Sequence, residues 1–270
     1  MNAAMVCVNY SDLLAVTLPY NRHHFEQVLV VTSPNDTATQ ELAVEYGCTL
    51  HVTDAFYARG AKFNKWAALE EGLDARDFRH GWLCLLDADV LWPKQLTITQ
   101  AGSRLLIDNI CLDVGQLCSP LRYMAPWPTM VNGIAYAVPP AEELWHTYNV
   151  HRNIAEWAGY SQIFHCDDPA LGLPPWHEVD WTHAGGADSV FQRKWTAANK
   201  VRPPWRVLHL GETGENWFGR STQLADGTRL PGSAVRRQAY LDLWPARRAV
   251  RAAGGDEAAI FAPEKLPSAE

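Results

Sequence analysis

The segment Trp82-Leu83-Cys84-Leu85-Leu86-Asp87-Ala88-Asp89-Val90-Leu91-Trp92-Pro93 constrains this chain more than any other. An apolar run of strand length ends in two aspartates one residue apart, and a proline closes the segment. A short apolar run bounded by turn signals reads as a buried strand of a parallel sheet. Ligands in open α/β sheets bind just outside the carboxyl ends of the strands, so both carboxylates fall where an active site is expected. Two hard oxygen donors there suit Mg²⁺ or Mn²⁺, ions usually shared with substrate phosphates. Asp-x-Asp also arises by chance as loop carboxylates or helix caps; a position directly after a buried strand favours the metal or phosphate reading.

The surrounding pattern supports such a sheet. Strands over residues 4–10, 27–32, 49–53 and up to Asp87 alternate with a helix or turn over 11–21 and helices over about 36–46 and 63–73. Asn35 or Asp36 supplies the cap of the second of these and Gly47 its stop. The third places Phe63, Trp66, Ala67, Leu69 and Leu73 on an apolar face. Strands alternating with helices imply parallel βαβ units. The second half is less regular. It reads as strands over 105–114, 133–138 (at an edge) and 206–210, with helices over 141–157, 187–199 and 235–252. Residues 160–186 read as a loop-rich region over the site, and the tail after Gly254 as disordered.

Composition sets limits on function. A chain of 270 residues can form one large α/β domain or two small ones. A net charge of −7 argues against a generally basic nucleic-acid binder, though a local basic patch remains compatible with it. Six scattered cysteines form no Cys-x-x-Cys pair, and Cys7, Cys84 and Cys111 sit in apolar runs as small hydrophobes. That pattern suits a reducing cytoplasm better than a disulfide framework. With no long apolar run and no signal peptide, a soluble cytoplasmic protein without a transmembrane segment is expected. Twelve tryptophans either line a groove for sugars or bases by stacking or simply pack the core and surface.

The order of these pieces resembles a GT-A glycosyltransferase over about residues 4–220. The first strand ends in Val8-Asn9-Tyr10, where such enzymes start their nucleotide pocket. Gly60-Ala61-Lys62-Phe63-Asn64-Lys65 is similar to the segment that contacts base and diphosphate. Leu85-Leu86-Asp87-Ala88-Asp89 looks like the family's metal-binding Asp-x-Asp, and Gly185-Gly186-Ala187-Asp188-Ser189 like its Gly-Gly-x-Asp segment near the acceptor. Val207-Leu208-His209-Leu210-Gly211 places a late histidine on a short strand.

The resemblance implies an α/β, Rossmann-like GT-A fold, with a mostly parallel central sheet, flanking helices and a loop-rich acceptor half. One domain would span residues 1–252, with a nucleotide-binding half over 1–100, an acceptor half with a C-terminal basic helix over 101–252, and a disordered tail over 253–270. The implied activity is metal-dependent hexosyl transfer from a nucleotide-sugar donor, UDP-sugar being favoured by family frequency alone. Asp87 would contact the ribose or the metal, and Asp89 and His209 would hold Mn²⁺ (or Mg²⁺). Asn9, Tyr10, Asn64 and Lys65 would face the nucleotide, with Lys62, Lys65 and Arg220 as extra positive charges near the diphosphate. Asp188 would act as base toward the acceptor hydroxyl if the reaction inverts. Bland readings stand beside these: an N-cap for Asp188, a core histidine for His209, solvated charges for Lys62 and Arg220.

The ending Asn216-Trp217-Phe218-Gly219-Arg220 resembles stand-alone glycosyltransferases encoded by bacteriophages, within a Gly-bounded loop suited to closing over the donor. This implies a location in the host cytoplasm and an acceptor that is a hydroxymethylated pyrimidine in DNA. The 235–252 helix carries Arg236, Arg237, Arg247, Arg248 and Arg251 against the single acid Asp242. Such a cluster grips DNA phosphates or a membrane surface, or is a solvated face. An acceptor glycan at the cell surface is the alternative.

Three rivals remain. A haloacid-dehalogenase-type phosphatase would use Asp87 as nucleophile, but its motif lies on the first core strand, and Leu91 replaces the expected hydroxyl residue. A nucleotidyltransferase shares fold and metal, and a catalytically silent sugar- or nucleic-acid-binding module would bind without turnover. Two further polar knots, His177/Asp180/His183 and His165-Cys166-Asp167-Asp168, could hold a metal; acceptor-loop contacts or surface turns are favoured.

Overall fold

The computed structural model describes residues 1–61, 63–125, 129–131, 134–136, 142–150, 159–181 and 187–210. The first half runs β1 (Asn2–Val6), α1 (Ser11–Asn21), β2 (Val28–Thr32), α2 (Thr37–Glu45), β3 (Thr49–Val52), α3 (Lys65–Ala75) and β4 (Trp82–Leu86). Asp36 caps α2 by accepting from Thr39 N at 3.2 Å, and Asn64 caps α3 by accepting from Ala67 N at 3.0 Å. Capping oxygens of this kind satisfy amides that the first turn leaves without partners. The sequence pattern therefore predicts this half closely.

The second half runs β5 (Val90–Leu91), β6 (Ile98–Ala101), β7 (Arg104–Ile107), β8 (Ile110–Leu112), β9 (Leu117–Cys118), β10 (Leu121–Ala125), β11 (Thr129–Val131), β12 (Ile134–Tyr136), β13 (Asn149–Val150), β14 (Ser161–His165), α4 (Ala187–Phe191), β15 (Lys200–Val201) and β16 (Arg206–Leu210). The central sheet has seven strands in the order β3-β2-β1-β4-β14-β9-β15. β3, β2, β1 and β4 are mutually parallel, while β14 runs antiparallel to β4 and β9. This is the expected mostly parallel α/β sheet. A second sheet, β13-β10-β16-β5, lies beyond it, and β6-β7-β8 form a separate meander.

Successive residues of the central strands feed opposite faces, as period-2 geometry demands. Met5, Val28, Val30, Cys84 and Leu86 pack with Leu14 and Leu18 of α1 and Leu42 of α2. Ala4, Leu29, Val31, Leu83 and Leu85 pack with Trp66, Leu69 and Leu73 of α3. The result is three layers, helix on sheet on helix.

Four expectations for the second half are corrected. Residues 105–114 are not one strand: β7 and β8 pair antiparallel across a turn at Asp108, which adopts φ +50° and ties Thr97 N to its carboxylate at 2.8 Å. The exposed Cys111 on β8 is therefore no core hydrophobe. The 141–157 helix is instead a 3₁₀ turn over Glu142–Thr147 followed by β13, with 151–158 outside the described residues. Glu142 fixes that turn by accepting from Tyr20 Oη and Lys94 N, each at 2.6 Å. Residues 161–165 are β14, buried throughout in the sheet rather than looped over the site; the polar Ser161, Gln162 and His165 disguise its burial in the sequence. The 187–199 helix stops at Phe191 and gives way to short 3₁₀ turns. Trp195 breaks it by burying its indole and donating Nε1–H to Asp168 at 2.6 Å.

All six cysteines are free thiols. Among the described residues no helix is long and apolar enough to cross a membrane. The 235–252 helix and the 253–270 tail lie outside the described residues.

α1 determines where the chain goes after β4. Thr17 Oγ1 donates to Ala88 O at 2.6 Å; one turn on, Asn21 Nδ2 donates to Val90 O at 2.7 Å and its Oδ1 accepts from Trp92 N at 2.9 Å. Asn21→Leu leaves two buried backbone groups without partners. It is expected to lower stability by about 2 kcal/mol or more, read as an earlier midpoint in urea unfolding.

Candidate active site

Strands β1, β2 and β3 build outward on one side, and β4 adds to the other side of β1. The turns after β1 and β4 thus flank a topological switch point, the place where open α/β sheets bind ligands. Asn9 follows β1 and Asp87 follows β4.

The link Asp87-Ala88-Asp89 carries the chain from the seven-stranded sheet into the second sheet, where β5 begins. Its backbone is tied at each residue. Asp87 N donates to Tyr160 O at 3.0 Å, Ala88 O accepts from Thr17, and Asp89 O accepts from Leu210 N at 2.8 Å. β5 and β16 pair antiparallel with His209 opposite Val90, which brings the late histidine to the aspartates. His209 Nε2 lies 3.1 Å from Asp89 Oδ1. On the other side, Lys65 at the start of α3 places Nζ 3.0 Å from Asp87 Oδ1 and 4.5 Å from the centre of the Trp66 ring. The positive end of α3's dipole adds to that charge.

Electrostatics separate the two carboxylates. Burial pushes Asp87 above the usual carboxylate range, and Lys65 only partly offsets this. Burial acts on Asp89 in the same sense, but His209 and Arg122 outweigh it and hold Asp89 below that range. Burial would lower Lys65, yet Asp87, Asp188 and Asp89 together hold it above its ordinary value. Lys65 therefore lies within the field of all three carboxylates.

Arg122 on β10 gave no sequence signal, since nothing in Leu121-Arg122-Tyr123-Met124 marks a site. Its guanidinium stacks over Tyr160 at 4.4 Å and places Nη1 2.9 Å from His209 Nδ1. Arginine can only donate, so Nδ1 accepts and a ring proton sits on Nε2, facing Asp89. In donor type, two carboxylates and an imidazole fit a divalent ion. Ligation through Nε2 requires that nitrogen to shed its proton and Arg122 to move off Nδ1. In the arrangement as it stands, no group of three or more His, Cys, Asp or Glu is placed to hold a metal among the described residues.

Asp188 lies inside the first turn of α4, past the cap position. Its Oδ2 accepts from Gly159 N at 2.7 Å. A Cβ at Gly159 would collide with Asp188, so the close approach requires glycine there. Asn9 takes φ +59° and donates its backbone N–H to Asp36 Oδ2 at 2.6 Å. Tyr10 is buried in the core at the head of α1. Asn64 is buried with both ends of its amide engaged, Oδ1 by the α3 cap and Nδ2 by Val179 O at 2.6 Å. Lys62, Arg220, Gly185, Gly186 and the arginines at 236, 237, 247, 248 and 251 lie outside the described residues.

The two polar knots are partly buried and partly exposed. Asp168 takes Ala170 N at 2.9 Å and the Trp195 indole, and Asp167 N donates to His165 Nδ1 at 3.2 Å. Asp180 pairs with Arg59, and His177 is buried against Glu70; His183 lies outside the described residues. Asp167 sits exposed on a turn and Asp180 is exposed on the surface, while His165, Asp168 and His177 are buried.

No family model and no curated protein matches the chain. Among solved structures it is similar to glucosyl-3-phosphoglycerate synthase from Mycobacterium tuberculosis in complex with Mn²⁺, UDP and glucosyl-3-phosphoglycerate. That match has 12% identity over 94% of this chain and 80% of that one, at TM-score 0.41. In a complex of the same enzyme with Mn²⁺, UDP and phosphoglyceric acid, the match spans only 42% of that chain at TM-score 0.28. Mannosyl-3-phosphoglycerate synthase from Rubrobacter xylanophilus matches at 15% identity over 94% of this chain and 74% of that one, TM-score 0.39. A 4-diphosphocytidyl-2C-methyl-D-erythritol synthase from Anaerococcus prevotii matches at 10% identity over 89% and 97%, TM-score 0.34. Likeness of this degree says nothing of chemistry, which rests on the residues themselves.

Lys65→Met removes the cation that offsets Asp87. The variant is expected to be less stable than the wild type near neutral pH. Because Asp87 is held above its unfolded-state pKa, proton uptake favours the folded state, so the deficit narrows as pH falls from neutral into the acid range. Urea midpoints at neutral and at acid pH check this.

Proposed function

We propose that this protein is a metal-dependent glycosyltransferase of the GT-A type that moves a sugar from a nucleotide-diphosphate donor, UDP-sugar favoured, to an acceptor hydroxyl. The observation that carries the reading is the convergence at one switch point of Asp87, Asp89, Lys65, His209 and Asp188 from four separate elements. Asp87, Asp89 and His209 are assigned to the Mn²⁺ or Mg²⁺ ion, which when bound neutralises developing diphosphate charge as a Lewis acid. Lys65 and the N-terminus of α3 add fixed positive charge on the same side. Asn9 and Tyr10 after β1 are assigned to the nucleotide, with Lys62 and Arg220 as further diphosphate contacts. Asp188 has Oδ2 oriented by Gly159, and its Oδ1 is assigned as the base for the acceptor hydroxyl in an inverting reaction.

The motif's place argues against the phosphatase alternative, since Asp87 follows the fourth strand of the sheet and its Oδ1 is held by Lys65. Thermal unfolding with UDP, GDP and their sugar conjugates, each with and without Mn²⁺, tests the donor reading. A ligand at a hundredfold its dissociation constant adds roughly 2.7 kcal/mol. The expected result is a rise with UDP and Mn²⁺ together that Asp89→Asn abolishes. No rise with any nucleotide-metal pair would end the transferase reading.

For the acceptor we infer a hydroxymethylated pyrimidine in DNA, with Arg236, Arg237, Arg247, Arg248 and Arg251 gripping phosphates, and a cell-surface glycan as the alternative. The support is the arginine spacing in the sequence. Transfer of labelled sugar from UDP-glucose to hydroxymethylcytosine DNA, lost on charge reversal of Arg247 and Arg248, is expected. Indifference to those changes and to salt would count against DNA.

A further inference from the structure

Glu70 stands one helical turn beyond Trp66 on α3, on the same face. Its buried carboxylate accepts from Trp176 N at 3.0 Å, His177 N at 2.9 Å and Arg79 Nη2 at 2.6 Å, and it lies 2.6 Å from His177 Nδ1. The hydrogen bond from His177 and the Arg79 guanidinium hold Glu70 below the usual carboxylate range against the effect of burial. An ionised carboxylate only accepts, so His177 carries its proton on Nδ1. The imidazole is fully buried, and its Nε2 has no hydrogen-bond partner among the described residues. Burial lowers its pKa, which keeps the ring neutral.

The faces of this ring are as fixed as its edge. Trp66 stacks on one side at 4.2 Å and 16°, and Phe191 on the other at 4.0 Å and 21°. Each neighbour leads to one side of the candidate site. The Trp66 indole lies under Lys65 Nζ, which pairs with Asp87. Phe191 is one turn beyond Asp188 on α4, a helix of only five residues that cannot hold its own position.

We propose that His177 is a positioning residue, a neutral planar spacer clamped by Glu70 that sets the separation between the Lys65–Asp87 pair and Asp188. What those two sides bind rests on the glycosyltransferase reading; the spacing itself does not.

Two variants of the full chain separate plane from edge. His177→Leu keeps roughly the volume without the flat faces, and His177→Phe keeps the faces without the hydrogen bond to Glu70. Stacked aromatic contacts are worth about 0.5–1.5 kcal/mol, or up to about tenfold in an equilibrium constant. UDP affinity in the presence of Mn²⁺, by calorimetry, is expected to weaken by that factor in His177→Leu and to recover in His177→Phe. Exchange of the Gly159 amide, which reports Asp188 with no ligand present, should speed up in the leucine variant and return to the wild-type rate in the phenylalanine variant. Equal loss in both variants, or no loss in the leucine variant, overturns the spacer. Absence of UDP binding in the wild type would sink the donor reading alone, since Gly159 exchange still decides the spacing. Histidine ¹⁵N spectra of the wild type provide a check without substitution: a proton on Nε2 of His177 overturns the clamp.

Discussion

The chain leaves one sheet and enters another within three residues, and the rest of the candidate site depends on how that crossing is held. β4 ends at Leu86 in the central sheet and β5 starts at Val90 in the second. A link between sheets has no ladder of its own, so its buried polar groups need other partners. They find them in Tyr160 O, Thr17 Oγ1 and Leu210 N, and the amide of Asn21 holds Val90 O and Trp92 N just beyond. Two aspartates on so short and fully tied a link have little freedom to turn away, which gives the site rigidity from backbone bonds alone.

Rigid placement of two acidic groups creates an electrostatic problem that the surrounding elements solve separately. Lys65 comes from α3 and faces Asp87; His209 and Arg122 come from neighbouring parallel strands and face Asp89. Buried charges persist only when paired and hydrogen-bonded. The pairing is uneven, leaving Asp87 raised and Asp89 lowered. An incoming cation would compete with Lys65 on one side and with a protonated ring nitrogen on the other. The packed aromatic stack Trp66–His177–Phe191 then ties the helix bearing Lys65 to the helix bearing Asp188.

The parallel half was legible because its signals are local. Apolar runs, the Asp36 and Asn64 caps and the breaks between them are each readable within a dozen residues. The second half misled for a consistent reason: long-range contacts outweigh local pattern there. β14 carries Ser161, Gln162 and His165 yet is buried, because Trp92 Nε1 donates to Ser161 Oγ at 3.2 Å and β4 pairs along its length. Trp195 ends a helical pattern by reaching Asp168, 27 residues away.

By itself the sequence determined that a parallel α/β sheet would present Asp87 and Asp89 at the end of a buried strand, since apolar periodicity and turn residues act over short distances. It also supplied His209, Lys65 and Asp188 as candidates. Only the tertiary structure decided which of them meet, through the β5–β16 register, the start of α3 and the approach of α4 to Gly159. It alone revealed Arg122 behind His209 and Glu70 behind His177, and the burial of Tyr10 and Asn64. Side chains distant in sequence become neighbours only through strand order and packing, which no local pattern encodes.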